Sequence, residues 1–184
     1  MNPNDISRLG ATQTRIFVCP TTERDLGDGV CLADQLLAAG SPICLGSDSN
    51  AVVDLFEEGR AVELDRLLVT GHRGWLSAEE LLQATTAHGM AALGWEAGEL
   101  RPGFVADFTT LGLASPRLAG AGVADLVARV VFGASAADVR RVVVGGEEVV
   151  QDGRRLRQGS VGAKLENILV ELEPQWRRAS PMGA

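Results

Sequence analysis

Histidine is nearly absent from this chain of 184 residues, so only His72 and His88 are available as imidazole ligands or bases, and no His-x-His pair occurs. Cysteine is also sparse. Cys19, Cys31 and Cys44 are odd in number and widely spaced, which offers neither a disulfide framework nor a Cys-x-x-Cys zinc site, and they read as buried thiols. No apolar stretch approaches the roughly 18 residues of a membrane span, and Met1-Asn-Pro-Asn4 lacks the basic and apolar regions of a signal peptide. A cytosolic, cytoplasmic protein is expected. Long basic clusters are missing too: with a formal net charge of -7, nucleic acid and anionic membrane are excluded as main partners. Arg154, Arg155 and Arg157 read as a solvated turn. There is no internal repeat or low-complexity tract. What remains, 46% hydrophobic and 22% charged, is the composition of a soluble globular protein with room for one domain or one and a half.

The most informative stretch is Pro42-Ile-Cys-Leu-Gly-Ser-Asp-Ser-Asn50. Ile43 to Leu45 is too short for a helix and is bounded by Pro42 and Gly46, so it reads as a buried strand of a parallel sheet. Asp48 then falls just past its C-terminal end. In an α/β barrel that end faces the active site, where an Asp can ligate a metal or take a proton from bound water. The other reading is a helix N-cap or a turn Asp.

Around this stretch the chain reads as alternating elements. Asn4 or Asp5 can cap a short turn through Ile6 and Leu9, with Gly10 placed to end it. Ile16 to Cys19 is a strand stopped by Pro20, opening into a polar loop over Thr21 to Gly29. Asp28 can cap a helix with Val30, Leu32, Ala33, Leu36 and Leu37 on one face, stopped by Gly40. This strand, helix and the Asp48 strand form one βαβ unit, whose right-handed crossover brings Glu23 and Asp48 to the same sheet edge. A helix from about Asp54 to Val69 is expected to turn Leu55, Phe56, Val62, Leu64, Leu67 and Leu68 inward, with Glu57, Glu58, Arg60 and Glu63 mostly outward. Ser77 to Glu80 is a capping box opening a helix that runs through Ala91 and ends at Gly94.

From Trp95 the pattern shifts to strands. Val105 to Leu111 reads as one, Val123 to Phe132 as a short helix, and Val142 to Val144 with Glu147 to Val150 as a hairpin across Gly145-Gly146, turned again at Asp152-Gly153. Val161, Leu165, Ile168, Leu169 and Leu172 recur at helical spacing, with Pro174 and Trp176 near the helix end.

Three of these segments, in this order, resemble the C-terminal part of a metal-dependent amidohydrolase-superfamily enzyme of the deaminase branch. Cys19-Pro-Thr-Thr-Glu-Arg-Asp-Leu-Gly-Asp-Gly29 resembles the loop after the seventh barrel strand, and Leu45-Gly-Ser-Asp48 the eighth strand with its metal-binding Asp. Ala84-Thr85, Ala91-Ala-Leu-Gly94 and Gly98-Glu-Leu-Arg-Pro-Gly-Phe-Val-Ala-Asp107 resemble the passage from barrel to accessory β-domain. Thr21-Thr-Glu23, Asp25-Leu-Gly-Asp-Gly29, Ser47-Asp-Ser-Asn50 and Asp54-Leu-Phe-Glu-Glu58 narrow the resemblance to formimidoylglutamate deiminases of histidine degradation.

The resemblance implies an α/β fold. Residues 1–95 would be the last two strand–helix units of a (β/α)8 TIM-like barrel, 96–160 strands of an accessory β-sandwich domain, and 161–184 a terminal amphipathic helix. It also implies one divalent metal, usually zinc, held by a His-x-His pair, a further His and the eighth-strand Asp, which here is Asp48. Such zinc lowers the pKa of bound water to about 7, and an adjacent carboxylate relays its proton to the leaving ammonia. Glu23, Ser49 and Asn50 would be candidate substrate contacts, although Ser and Asn in loops are also turn formers. A small-molecule substrate is implied, N-formimidoyl-L-glutamate giving N-formyl-L-glutamate, with a homo-oligomer, a dimer, for the full-length enzyme.

The departure is one of omission. A complete barrel needs about 250 residues, and this sequence has two strand–loop–helix units before residue 95. The chain begins just downstream of where the family carries its sixth-strand His. A truncated product, a fragment or one half of a split protein is therefore expected, inactive by itself. Two alternatives stay open beside it: another aminohydrolase of the superfamily, of purine, pyrimidine or chlorohydrolase type, and a non-catalytic interaction module.

Overall fold

The computed structural model describes residues 1–120, 122–157 and 159–179. Helix α1 (Pro3–Ala11) starts at Asn2, whose side chain accepts the Asp5 N–H while the Asp5 carboxylate accepts the Asn2 N–H. Pro3 suits the first helical turn because its missing N–H would have no partner there. The cap is thus Asn2 rather than Asn4 or Asp5. Gly10 does not end the helix either. It lies inside α1, where a Cβ would come within 2.1 Å of the Ala39 carbonyl oxygen, so glycine lets α1 touch the end of α3 (Ala33–Ala38).

Strands β1 (Ile16–Val18) and β2 (Ile43–Leu45) pair in parallel, with Ile16 opposite Ile43, Phe17 opposite Cys44 and Val18 opposite Leu45. All three β2 residues are buried. The polar loop expected after β1 is instead a helix, α2 (Pro20–Leu26). Proline at its first position is pre-set for helical φ, and Gly27 ends it with a φ of 74°. Asp28 does not cap α3; its N–H donates to the Glu23 carbonyl, and α3 begins at Ala33.

Helix α4 (Leu55–Thr70) is capped by Asp54, which accepts the Phe56 and Glu57 N–H groups on one oxygen and the Ala136 N–H on the other. Its buried face departs from the one periodicity predicts: Val62 is buried as expected, but Glu58 and Glu63 are buried with it and three of the expected leucines are not. Glu58, Gly59, Ala61, Val62, Glu63 and Arg66 face inward, whereas Leu55, Leu64 and Leu68 are exposed. The departure is possible because each buried charge meets a dedicated partner. Glu58 accepts from Thr21; Glu63 accepts the N–H groups of Gly74, Trp75 and Leu76; Arg66 pairs with Asp34 and lies 5.4 Å from the Trp75 ring centre.

The Ser77–Glu80 capping box opens α5 (Ala78–Thr85) as the sequence predicts. The helix does not continue to Gly94. Thr85 and Thr86 hydroxyls both donate to the Leu82 carbonyl, and the backbone breaks at Thr86 (φ −128°, ψ −94°) before α6 (Ala87–Ala92).

A four-stranded antiparallel sheet comes next, in the order β3 (Phe108–Leu111), β4 (Val139–Val144), β5 (Glu147–Gln151), β6 (Arg154–Arg155). Both tight turns, Gly145-Gly146 and Asp152-Gly153, have positive φ throughout, the geometry two-residue hairpin loops require. Arg154 and Arg155, read as a turn, are β6 itself, and Arg157 pairs with Glu147. Between β3 and β4 lies α7 (Leu126–Gly133), preceded by a single 3-10 turn. Val131 of α7 joins Ile6, Val18, Leu36, Ile43, Val62 and Leu81 in one buried cluster, so a common core joins residues on both sides of Trp95. Arg60 strengthens the link by donating to the Phe132 and Ala134 carbonyls. The last element, α8 (Val161–Ala179), is the amphipathic helix predicted; residues 180–184 of the terminal segment lie outside the described residues. No helix among the described residues is long and apolar enough to cross a membrane.

Candidate functional site at the carboxyl edge of the parallel strands

Two parallel strands deliver their C-terminal ends to one edge, and here that edge joins the start of α2 to the loop after β2. Thr22 is the joint. Its buried hydroxyl donates to the Ser47 carbonyl at 3.0 Å, accepts the Ser49 N–H at 3.2 Å and lies 2.9 Å from the Ser49 hydroxyl. One residue earlier, Thr21 gives its N–H (3.1 Å) and its hydroxyl to the buried carboxylate of Glu58. The first turn of α2 is therefore fixed on one side to α4 and on the other to the loop that carries Asp48.

Asp48 sits at the exposed crest of that loop with a φ of 46°, a left-handed conformation that Asp and Asn tolerate better than other side chains. Asn50, with a φ of 58°, closes the turn: its N–H donates to the Ser47 carbonyl at 3.1 Å and its side-chain oxygen accepts from the Ser47 hydroxyl at 3.3 Å. Ser49 and Asn50 thus shape the loop, Ser49 through Thr22 and Asn50 through Ser47.

Glu23 is in α2, not in a loop. Its carboxylate turns back to accept the Cys19 N–H at 3.0 Å, so it closes the start of its own helix. Burial pushes its carboxyl pKa up, the Cys19 N–H opposes this, and Asp28, Asp65 and Glu58 add to the rise. Cys19 records the same charge: burial raises its thiol pKa, and Asp48, Glu23 and Glu58 raise it further. The edge as a whole is anionic and suits a cation.

Neither histidine is part of it. His88, on α6, places Nδ1 3.0 Å from the Ile43 carbonyl and braces β2, while exposed His72 places Nδ1 2.8 Å from the Thr70 carbonyl. Among the described residues no three His, Cys, Asp or Glu side chains come together to hold a metal ion. Zinc needs three or four protein ligands, so the described residues do not make that site; Asp48 is at most one donor to it.

The roles of Thr22 and Glu58 escape a reading by motif. The available signal was Pro20 directly before two threonines, which marks a helix start whose side-chain hydroxyls can reach neighbouring chain.

The sequence profile described as the Amidohydrolase family matches residues 1–149. The chain is 34% identical over 155 residues to a 5-methylthioadenosine/S-adenosylhomocysteine deaminase of Pelotomaculum thermopropionicum, covering 82% of this chain and 35% of that protein. It is 32% identical over 178 residues to a formimidoylglutamate deiminase of Pseudomonas aeruginosa, covering 93% of this chain and 39% of that protein. In three dimensions it is similar to the crystal structure of an amidohydrolase from Brucella melitensis, with a TM-score of 0.82 and 27% identity over 94% of this chain and 39% of that one. The chain therefore spans 35% to 39% of the length of these proteins.

Proposed function

Because the chain belongs to the amidohydrolase family, we propose that it supplies the last two strand–helix units of a barrel deaminase, with Asp48 as its contribution to the metal site. One observation carries this reading: Thr22 ties the Asp48 loop to the start of α2 at the carboxyl edge of two parallel strands. Barrel enzymes assemble their active sites at that edge. The metal proposed is zinc, on the likeness of Leu45-Gly-Ser-Asp48 to a metal-binding strand end, with the other ligands drawn from outside the described residues.

The substrate proposed is N-formimidoyl-L-glutamate, hydrolysed to N-formyl-L-glutamate and ammonia as in histidine degradation. Thr21-Thr-Glu23 and Ser47-Asp-Ser-Asn50 support it, as does the similarity to the deiminase over 93% of the chain. A second reading, a nucleoside deaminase, is favoured by the 34% identity to the methylthioadenosine enzyme, although that match covers 82% of the chain.

Two chimeras decide between them, joining this chain downstream of the N-terminal part of either relative. Ammonia release from formimidoylglutamate by the deiminase chimera, with none from 5-methylthioadenosine by the other, is the result expected. The reverse pattern would overturn the substrate, and two folded but inactive chimeras would overturn the catalytic reading.

A further inference from the structure

The Thr22 hydroxyl contacts the peptide groups on both sides of Asp48. It donates to the Ser47 carbonyl at 3.0 Å, part of the peptide entering Asp48, and accepts the Ser49 N–H at 3.2 Å, part of the peptide leaving it. The backbone is soft only at φ and ψ, so fixing two successive peptide planes fixes both angles of the residue between them, and with them the direction of its side chain. A hydroxyl has one hydrogen and two lone pairs. With its hydrogen given to Ser47, Thr22 accepts from the Ser49 hydroxyl, 2.9 Å away, and its capacity is used in full.

Asp48 needs such a hold. Ser47 to Asn50 is a four-residue turn closed by the Asn50 N–H on the Ser47 carbonyl, and Asp48 stands in its second place with a φ of 46°. Positive φ at that place favours glycine, and another residue keeps it only where its surroundings over-determine it. Thr22 is suited to this. It is 2% exposed, so little water competes for its hydroxyl, and its β-branched side chain is stiff. Its neighbour Thr21 is locked by N–H and hydroxyl to the buried Glu58 carboxylate. The direction of Asp48 is thus carried from α4 through Thr21 and Thr22 to the loop.

We propose that Thr22 is a positioning residue for Asp48, its hydroxyl setting the direction in which the carboxylate leaves the loop. The hold on the loop stands on geometry alone; its consequence for zinc rests on the deaminase reading.

Hydrogen exchange in the whole chain reads the hold, and zinc affinity of the deiminase chimera, by competition with a chelator, reads its consequence. In Thr22→Val the Ser49 amide is expected to exchange about tenfold faster relative to amides in the middle of α5, and zinc to bind about tenfold more weakly, because both flanking peptides lose their shared partner. Thr22→Ser restores both. Thr22→Ala, which puts no extra methyl group against the two peptides, replaces Thr22→Val if that chain does not fold. In an Asp48→Asn background Thr22→Val adds no further loss of zinc, whereas a merely structural Thr22 would weaken both backgrounds alike. Unchanged Ser49 exchange, or an equal zinc loss with and without the Asp48 carboxylate, would overturn the proposal. So would faster exchange with undiminished zinc where Asp48→Asn loses it. Full zinc in Asp48→Asn, or none in the unsubstituted chimera, would instead overturn the metal reading, and Thr22 is then judged by Ser49 exchange.

Discussion

The Glu58 carboxylate, fully buried on α4, accepts both the backbone N–H and the side-chain hydroxyl of Thr21 on α2. A buried acceptor with two donors contributes mainly by what its loss would leave unpaired. Glu58→Leu strands both Thr21 donors and is expected to cost about 2–4 kcal/mol, while Glu58→Gln keeps one acceptor, sheds a buried charge and costs less. Urea unfolding of the two variants measures this, and a stable Glu58→Leu chain would refute the pairing.

That pair also marks the limit of what the sequence reveals. β2 was legible because Ile43 to Leu45 is short, wholly apolar and fenced by Pro42 and Gly46, which leaves few conformations open. The same holds for the Ser77–Glu80 cap and the Gly145-Gly146 turn, where local chemistry decides local shape. The buried face of α4 was illegible because hydrophobic periodicity assumes that charges lie outside. Glu58, Glu63 and Arg66 are inside, each satisfied by a group distant in sequence, and Leu64 and Leu68 are left exposed. At the candidate site the sequence located Asp48 and the shared edge. It could not anticipate that Thr22 holds the loop, because that contact spans two segments which only the fold unites.

Glu63 gives a second test of the same kind. Its carboxylate gathers the N–H groups of Gly74, Trp75 and Leu76 and so shapes the connection between α4 and α5. Glu63→Ala leaves three amides without their acceptor. Hydrogen exchange at these three residues is expected to accelerate relative to amides in the middle of α5. Equal protection in variant and wild type would mean that the loop is held by something else.

Asp138, buried beside β4, ties acid stability to the C-terminal sheet. The nearby Ser115 hydroxyl, the Ser135 N–H and Arg117 hold its carboxyl, against burial, at about 2 instead of the ordinary 3.8. A folded-state pKa below the unfolded one means that the stabilisation is complete above the ordinary value and is lost as pH falls towards about 2. The stability difference between wild type and Asp138→Asn is therefore expected to be constant at neutral pH and to shrink between about pH 4 and pH 2. A difference that does not change with pH would contradict the depressed pKa.

Asp48 yields the sharpest separation between folding and chemistry. It is exposed and in a left-handed conformation, so Asp48→Asn keeps a side chain suited to that backbone while removing the charge. Stability of the chain should then change by less than about 0.5 kcal/mol, as for other surface substitutions. If Asp48 is a zinc ligand, the same substitution in the deiminase chimera should abolish ammonia release and lower zinc retention, because a neutral amide replaces an anionic donor in a site of three or four protein ligands. Cys19→Ser and Cys44→Ser should leave zinc content unchanged, since among the described residues neither thiol belongs to a cluster of His, Cys, Asp or Glu able to hold a metal ion, and Cys44 lies within β2 rather than past its end. Full metal content and normal turnover in Asp48→Asn would remove Asp48 from the metal site and leave it as a turn residue, the alternative reading its position always allowed.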